Sequence, residues 1–196
     1  MNLVLIGGGG YAIELFSFIQ DDLSNDCKLL GFYDDNKDCD LSKSNHNLKY
    51  LGRIDEFYES DHTCIIAIAN PIIRAGIYKK IFKNSKVYTY IHSSAIISSS
   101  AKIGDSVVIG PNCIVSANAE ISNNVCLNVF CGVGHGSTIH ESSVLGPYAL
   151  VNGDCSVGIA CYLGSKSVVF PRINIGNGVS IDAGSIVRSN ISDFIL

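Results

Sequence analysis

Hydrophobic residues in the second half of the chain recur with a fixed period of six. Every sixth residue from Ile91 to Val187 is Ile, Val or Leu, without an interruption. A short repeat of constant length is typical of rungs that stack on one another, because a single rung cannot bury its apolar side alone. The pattern therefore predicts a solenoid of short parallel strands over residues 91–196.

A second column of the repeat, four residues after each large apolar position, holds mostly Ala, Ser, Cys and Val. Gly, Asn, Asp and Ser stand between the two columns, and these residue types tolerate sharp turns. One large and one small inward side chain per six residues suits a chain that winds around a narrow prism. Four cysteines fall in the small column, where a thiol acts as a compact hydrophobe: Cys113, Cys131, Cys155 and Cys161.

The first ninety residues have a different pattern. Short apolar runs at 3–6, 29–33 and 64–69 alternate with segments in which apolar residues recur at helical spacing, such as Ile13, Phe16 and Ile19. A second helical segment carries Ile73 and Ile77. The alternation predicts a small Rossmann-like βαβ domain over residues 1–90, followed by the solenoid domain over residues 91–196.

A glycine-rich turn follows the first predicted strand and precedes the first predicted helix. Gly7, Gly9 and Ala12 occupy the three positions of the GxGxxG/A fingerprint, whose backbone N–H groups can hold a phosphate at the helix start. Asp34 ends the second strand, near the spacing expected for a carboxylate that binds a ribose hydroxyl. The alternatives are a tight turn and a turn-forming Asp with no ligand.

Composition and charge narrow the partners. The net charge is −4 and no basic cluster is present, which argues against a nucleic-acid partner. No CxxC or Cys/His ligand spacing occurs, so no metal is predicted. The segment Met1–Ile6 has no basic residue and runs straight into Gly7, so we expect neither a signal peptide nor a membrane span, and a cytoplasmic protein.

The ordered set of motifs resembles the nucleotide-sugar acetyltransferases of bacterial glycan synthesis, namely the bacillosamine-type 4-amino-sugar N-acetyltransferases and the sialic acid O-acetyltransferases. The motifs are the Gly-rich opening, Phe32-Tyr33-Asp34-Asp35, Leu51-Gly52, Ala67-Ile68-Ala69-Asn70 with Arg74 following, Ile91-His92-Ser93-Ser94-Ala95, Asn128, and Gly134-His135. The resemblance implies a left-handed parallel β-helix of about five coils. It also implies acetyl-CoA-dependent acetyl transfer to the amino group of a nucleotide-activated sugar, by a homotrimer.

The resemblance assigns roles to individual residues. His135 matches the catalytic base, and an imidazole can accept a proton from an attacking amine at neutral pH. Gly153 matches the residue whose backbone N–H binds the oxyanion, and it also belongs to the acetyl-CoA groove. The other residues implied for acetyl-CoA are Ala160, Ser165 and Ala183. Those implied for the nucleotide sugar are Gly7, Gly9, Gly10, Tyr11, Asp34, Asp35 and Ala69.

Two departures from the family pattern keep alternatives open. Many bacillosamine-type members carry an acidic residue directly after the base, whereas this chain has Gly136, and its nearest acidic residue in sequence is Glu141. The His135-Gly136 pair looks more like some sialic acid O-acetyltransferases, so O-acetylation of a sugar hydroxyl is one alternative. A Gly-x-Pro-Ala-type closing segment is also missing. A non-catalytic nucleotide-sugar-binding trimer is the second alternative. His140 is predicted to be a solvated corner residue.

Overall fold

The computed structural model describes residues 2–22, 28–44, 46–82 and 86–194. The chain forms two compact units, one of Met1–Ala69 with Gly76–Tyr88 and the other of Asn70–Ala75 with Thr89–Leu196. Among the described helices, none is long and apolar enough to cross a membrane.

The first unit is built on a parallel sheet with the strand order β3-β2-β1-β4. Its strands are β1 Asn2–Ile6, β2 Lys28–Tyr33, β3 Tyr50–Gly52 and β4 Thr63–Ile66, and the helices of this part of the chain are α1 Gly10–Asp22, α2 Asp40–Lys43, α3 Ile54–Phe57 and α4 Pro71–Ile81. The predicted βαβ alternation is confirmed. The elements β3, α2 and α3 were not predicted, because three or four residues are too few to show a period.

The sheet and helix α1 share a buried apolar layer. Residues 3–6 of the central strand β1 are fully buried, and helix α1 buries Ala12, Leu15, Phe16 and Ile19. Each large aliphatic or aromatic side chain in this layer contributes about 1.5 to 3 kcal/mol by burial. The packing holds the connection between β1 and α1, which is the Gly-rich turn, at the carboxyl end of the sheet.

The second unit is a β-helix with three faces, each a parallel sheet of two-residue strands. Face 1 contains β5 Tyr90–Ile91, β8 Val108–Ile109, β11 Cys126–Leu127, β14 Val144–Leu145, β17 Tyr162–Leu163 and β20 Ser180–Ile181. Face 2 contains β6 Ile96–Ile97, β9 Ile114–Val115, β12 Gly132–Val133, β15 Leu150–Val151, β18 Val168–Val169 and β21 Ile186–Val187. Face 3 contains β7 Lys102–Ile103, β10 Glu120–Ile121, β13 Thr138–Ile139, β16 Ser156–Val157 and β19 Asn174–Ile175. Paired residues such as Cys126 and Val144 are 18 apart, so one coil has 18 residues.

The second residue of every strand is the predicted large apolar residue, and from Ile109 to Val187 these side chains are all buried. Ile91, at the start, is 38% exposed. The small column is also buried, but its cysteines do more than fill space. The Sγ of Cys155 donates to Phe170 O at 3.0 Å, and the Sγ of Cys161 donates to Gly176 O at 3.0 Å. These weak donors satisfy corner carbonyls of the next coil.

The corners of the coil require a left-handed backbone conformation. Asn112, Asn118 and Asn124 have φ values of 57°, 57° and 56°, and Asp154 has 59°. Asn and Asp adopt this conformation more readily than other residues with a side chain, because their short polar groups can hydrogen-bond locally. An Asn at such a corner is therefore the ordinary solution in this chain.

Candidate active site

His135 lies at a corner between face 2 and face 3, after β12 and before β13. Its imidazole is 70% exposed. The ring faces a pocket of about 430 Å³ whose lining comes from successive coils, including Gly134, Leu150, Gly153, Asp154, Pro171 and Arg172. A base held at the corner of stacked coils is positioned by the rigid part of the molecule while its ring stays accessible.

Gly153 stands one coil after His135, directly against the imidazole. A Cβ at Gly153 would lie 2.5 Å from Nε2 of His135, and a Cβ at Gly134 would lie 2.6 Å from the Gly153 nitrogen. Two missing side chains therefore allow the ring to approach the backbone and leave the Gly153 amide uncovered. Within the described part of the chain, this N–H has no hydrogen-bond acceptor. It is free to donate to a ligand oxygen.

The acidic neighbour of His135 is Asp154, and not Glu141, the nearest acidic residue in sequence. Asp154 Oδ1 lies 3.6 Å from His135 Nδ1, and the Asp154 backbone N–H donates to His135 O at 2.8 Å. Glu141 belongs to the next corner, where its carbonyl accepts from Ala160 N at 2.9 Å. The sequence analysis missed Asp154. Counting one coil of 18 residues forward from Gly136 would have found it.

The remaining residues implied for acetyl-CoA lie on other corners of the β-helix. Ser165 and Ala183 occupy equivalent positions between face 1 and face 2, where Ser165 O accepts from Gly184 N at 2.8 Å. Ala160 stands between face 3 and face 1. Within one chain, these residues are therefore not brought together with His135 and Gly153.

The prediction for His140 was wrong. Its side chain is half-buried, and Nε2 lies 3.2 Å from Ser156 Oγ, the outward residue of the next strand on face 3. The strand, and not a corner, holds it. His135 is thus the exposed imidazole of this coil.

The cysteines near His135 are poorly suited to be nucleophiles. Cys131 is buried, and hydrogen bonding with the Cys113 thiol, followed by burial, raises the pKa of its thiol well above the ordinary value. A protonated thiol is a weak nucleophile. No group of three or more His, Cys, Asp or Glu side chains among the described residues could hold a metal ion.

The predicted nucleotide-binding residues meet at the carboxyl end of the first unit's sheet. The Gly-rich turn follows β1, Asp34 follows β2, and Ala69 lies just beyond β4. Gly7 has φ +106°, and a Cβ there would lie 2.9 Å from Ala67 O, so the turn requires glycine. The strand order changes direction between β1 and β4, which is where open parallel sheets bind ligands.

Asp34 supports the turn directly. Its Oδ2 accepts from the Gly8 N–H at 2.7 Å, and its Oδ1 accepts from the Asn36 N–H at 2.7 Å. Gly9 and Gly10 are exposed at the start of α1, and Tyr11 is half-buried. Asp35 is exposed and accepts from Ile54 N at 3.2 Å, at the start of α3. The two neighbouring carboxylates therefore hold different segments.

Replacing Asp34 with Ala removes the acceptor of the Gly8 N–H, so we expect the turn to loosen. The free energy of unfolding should fall by about 1 to 3 kcal/mol, and binding of a nucleotide sugar should weaken. Asp38→Ala is the control, because the Asp38 side chain is exposed and away from these bonds. Thermal unfolding and calorimetric titration with GDP- and UDP-sugars measure both effects. Equal behaviour of the two variants would contradict the role of Asp34.

Residues 2–81 match the family model of the PglD N-terminal domain, and residues 88–123 match the model of the bacterial transferase hexapeptide with six repeats. The structure is similar to the acetyltransferase domain of PglB from Neisseria gonorrhoeae, with a TM-score of 0.83, 22% identity, and coverage of 97% of this chain and 92% of that one. It is similar to perosamine N-acetyltransferase from Caulobacter crescentus, a variant of which was solved with CoA and GDP-perosamine, with a TM-score of 0.85, 22% identity, and coverage of 100% and 92%. WeeI from Acinetobacter baumannii gives a TM-score of 0.84, 21% identity, and coverage of 100% and 95%.

These likenesses extend over both units and confirm the predicted fold class, including the left-handed β-helix. The two matched families divide the chain as the motifs of the sequence do. The chain therefore joins an N-terminal domain of the PglD type to a hexapeptide-repeat β-helix of the bacterial transferases, the two-part architecture of these sugar acetyltransferase structures.

Proposed function

We propose that the protein transfers the acetyl group of acetyl-CoA to the amino group of a nucleotide-activated amino sugar, in the cytoplasm, for bacterial surface glycan synthesis. The observation that carries this proposal is the exposed His135 imidazole standing against Gly153 in an open pocket. A base beside an unpaired backbone donor is the pair of groups that acyl transfer to an amine requires. The N-acetylation of perosamine by the similar Caulobacter enzyme supports the choice of an amine over a hydroxyl.

The chemistry is a direct transfer with no covalent enzyme intermediate. The sugar nitrogen attacks the thioester carbonyl carbon and forms the C–N bond while His135 Nε2 accepts the proton of the amine. The Gly153 N–H donates to the oxyanion of the tetrahedral intermediate. The C–S bond then breaks, and the CoA sulfur leaves with its electron pair and takes the proton from the imidazolium. The products are the amide and free CoA thiol.

Each unit would contribute one part of substrate recognition. In the first unit, Gly7, Gly9, Gly10 and Tyr11 would hold the nucleotide phosphates at the start of α1, with Asp34, Asp35 and Ala69 beside them. In the second unit, Gly153, Ala160, Ser165 and Ala183 would contact acetyl-CoA. The exposed glycines at the start of a 13-residue helix support phosphate binding.

A homotrimer would bring residues on different corners into one acetyl-CoA groove. Face 2 supports this assembly, because its outward side chains form an apolar stripe. Ile96, Ile114, Leu150 and Ile186 are 65%, 49%, 39% and 53% exposed. The corresponding outward residues of face 3 are polar: Lys102, Glu120, Thr138, Ser156 and Asn174. A continuous apolar stripe on only one of these faces is typical of a surface that another copy covers.

Replacing Ile186 with Lys is expected to dissociate the trimer and to abolish turnover at micromolar protein concentration, because a charge would have to be buried between copies. Asn174→Lys is the matched control, since it places the same charge on the exposed polar face 3. Light scattering coupled to size-exclusion chromatography gives the mass of each variant. A wild-type monomer, or a trimer that survives in Ile186→Lys, would contradict assembly through face 2.

The activity is tested by thiol release from acetyl-CoA with a panel of UDP-4-amino sugars, GDP-4-amino sugars and free sialic acid. Turnover with one of the nucleotide amino sugars supports the proposal and identifies the nucleotide. Turnover with sialic acid alone would replace it by O-acetylation. Binding of nucleotide sugars without turnover, and without acetyl-CoA binding, would identify a non-catalytic binding protein.

A further inference from the structure

Asp154 and Gly136 occupy equivalent positions on one corner of the β-helix. Because one coil has 18 residues, His135 stands above Gly153, and Gly136 stands above Asp154. Both Gly136 and Asp154 are left-handed, with φ values of 64° and 59°. The backbone bond from Asp154 N to His135 O, at 2.8 Å, ties the two coils together at this point.

The carboxylate of Asp154 fills the space that a side chain at position 136 would take. A Cβ at Gly136 would lie 2.5 Å from Asp154 Oδ1. The two positions therefore compete for one volume beside the imidazole, and only one of them can carry a side chain. Gly136 is required here because the carboxylate arrives from the following coil.

The contact is made by the imidazole nitrogen that faces away from the chemistry. Oδ1 of Asp154 lies 3.6 Å from Nδ1, which is an ion-pair distance and longer than a hydrogen bond. A small rotation of the exposed ring closes this gap, and catalytic hydrogen bonds are often long before substrate binds. A proton held on Nδ1 by the carboxylate leaves the lone pair on Nε2, the nitrogen that faces Gly153.

The surrounding charges leave Asp154 available for this contact. Arg172 is the next residue of the same corner column and lines the pocket, and its backbone N–H donates to Gly153 O at 3.0 Å. Within the described residues, Arg172 forms no ion pair with Asp154, whose only such contact is with His135. The carboxylate is 56% exposed, so its attraction to the imidazole is screened by solvent. Its effect is to orient the ring and select its tautomer.

We infer that Asp154 is the positioning residue of the base His135, and that Gly136 is the vacancy that admits it. This inference rests on the proposed function for its kinetic consequence. The corner geometry by itself does not demand an acid, because Asn112, Asn118 and Asn124 form equivalent corners. An Asn at 154 would therefore preserve the fold and remove only the charge.

Asp154→Asn is the first variant that tests the inference. We expect kcat to fall about 10- to 100-fold, a part of what a general base contributes, with the KM for acetyl-CoA and for the acceptor changed less than about threefold. Thermal stability should stay at the wild-type value. A loss confined to KM, or a variant as active as wild type, would overturn the inference.

Moving the carboxylate back by one coil provides the rescue experiment. Gly136→Asp combined with Asp154→Gly vacates one position and fills the other, and the left-handed corner accepts Asp at either place. We expect the double variant to recover most of the kcat lost in Asp154→Gly alone. Gly136→Asp alone should lose activity, since two carboxylates would then share one volume. No recovery in the double variant would overturn the inference.

A spectroscopic measurement separates this inference from the proposed function. Two-bond ¹H–¹⁵N correlation spectra of histidine-labelled protein report which ring nitrogen of neutral His135 carries the proton. We expect the proton on Nδ1 in the wild type and a change toward Nε2 in Asp154→Asn. An unchanged tautomer would overturn the inference even if acetyl transfer is observed, whereas absence of turnover with a changed tautomer would contradict only the proposed function.

Discussion

His135→Ala is expected to lower kcat/KM for acetyl transfer roughly 100- to 10,000-fold, the range that a general base contributes. The amine must lose a proton as it attacks, and no other described imidazole lines this pocket. The side chain is 70% exposed, so its removal should leave the free energy of unfolding almost unchanged. Steady-state thiol release and thermal unfolding measure the two quantities side by side.

His140→Ala is the matched control for this experiment. It removes an imidazole from the same coil, and that imidazole is half-buried and within hydrogen-bond distance of Ser156 Oγ. We expect a moderate loss of stability and nearly full activity. If His140→Ala lost activity as much as His135→Ala, the assignment of the base would be wrong.

Gly153→Ala is expected to lower kcat by about 10- to 1,000-fold without unfolding the protein. The new Cβ would lie 2.5 Å from His135 Nε2 and 2.6 Å from Cε1, which no real contact tolerates. Because the imidazole is an exposed side chain, the ring moves away rather than the backbone. The base is then displaced from the oxyanion donor, and a misplacement of this size costs about a factor of 100.

A double-mutant cycle shows whether Gly153 acts through His135. If the added methyl group works only by displacing the ring, Gly153→Ala should have little further effect in a protein that already carries His135→Ala. Gly76→Ala serves as the control, since a Cβ at Gly76 would meet no atom within 4 Å. Additive losses of activity in the double variant would instead mean that the methyl group blocks acetyl-CoA directly.

The periodic parts of the fold could be predicted because their signal repeats. Each rung from Ile109 to Val187 buries the same two columns, so the six-residue pattern alone determined the strands and the 18-residue coil. Strands β1, β2 and β4 and helices α1 and α4 followed from short apolar runs and helical spacing. Elements β3, α2 and α3 lack such a signal, because tertiary contacts of a few residues stabilise them.

The site divides in the same way. His135 could be proposed because its position in the hexad lies outside the inward columns, where packing does not explain a histidine. Asp154 could not be proposed from neighbours in the sequence, since its contact crosses from one coil to the next. Asp34 was predicted at the right edge of the sheet, but its bond to the Gly8 N–H depends on the exact path of the turn.

The sequence by itself determined the two-part architecture, the β-helix and the candidate base, because these depend on burial patterns and on motifs that are local along the chain. The tertiary structure decided which groups meet around the base. Stacking places residues 18 apart in contact, so the distance from Asp154 Oδ1 to His135 Nδ1 and the space left by Gly136 and Gly153 arise only when the coils are wound. Side-chain contacts between coils carry no periodic signal of their own, which is the physical reason for the difference.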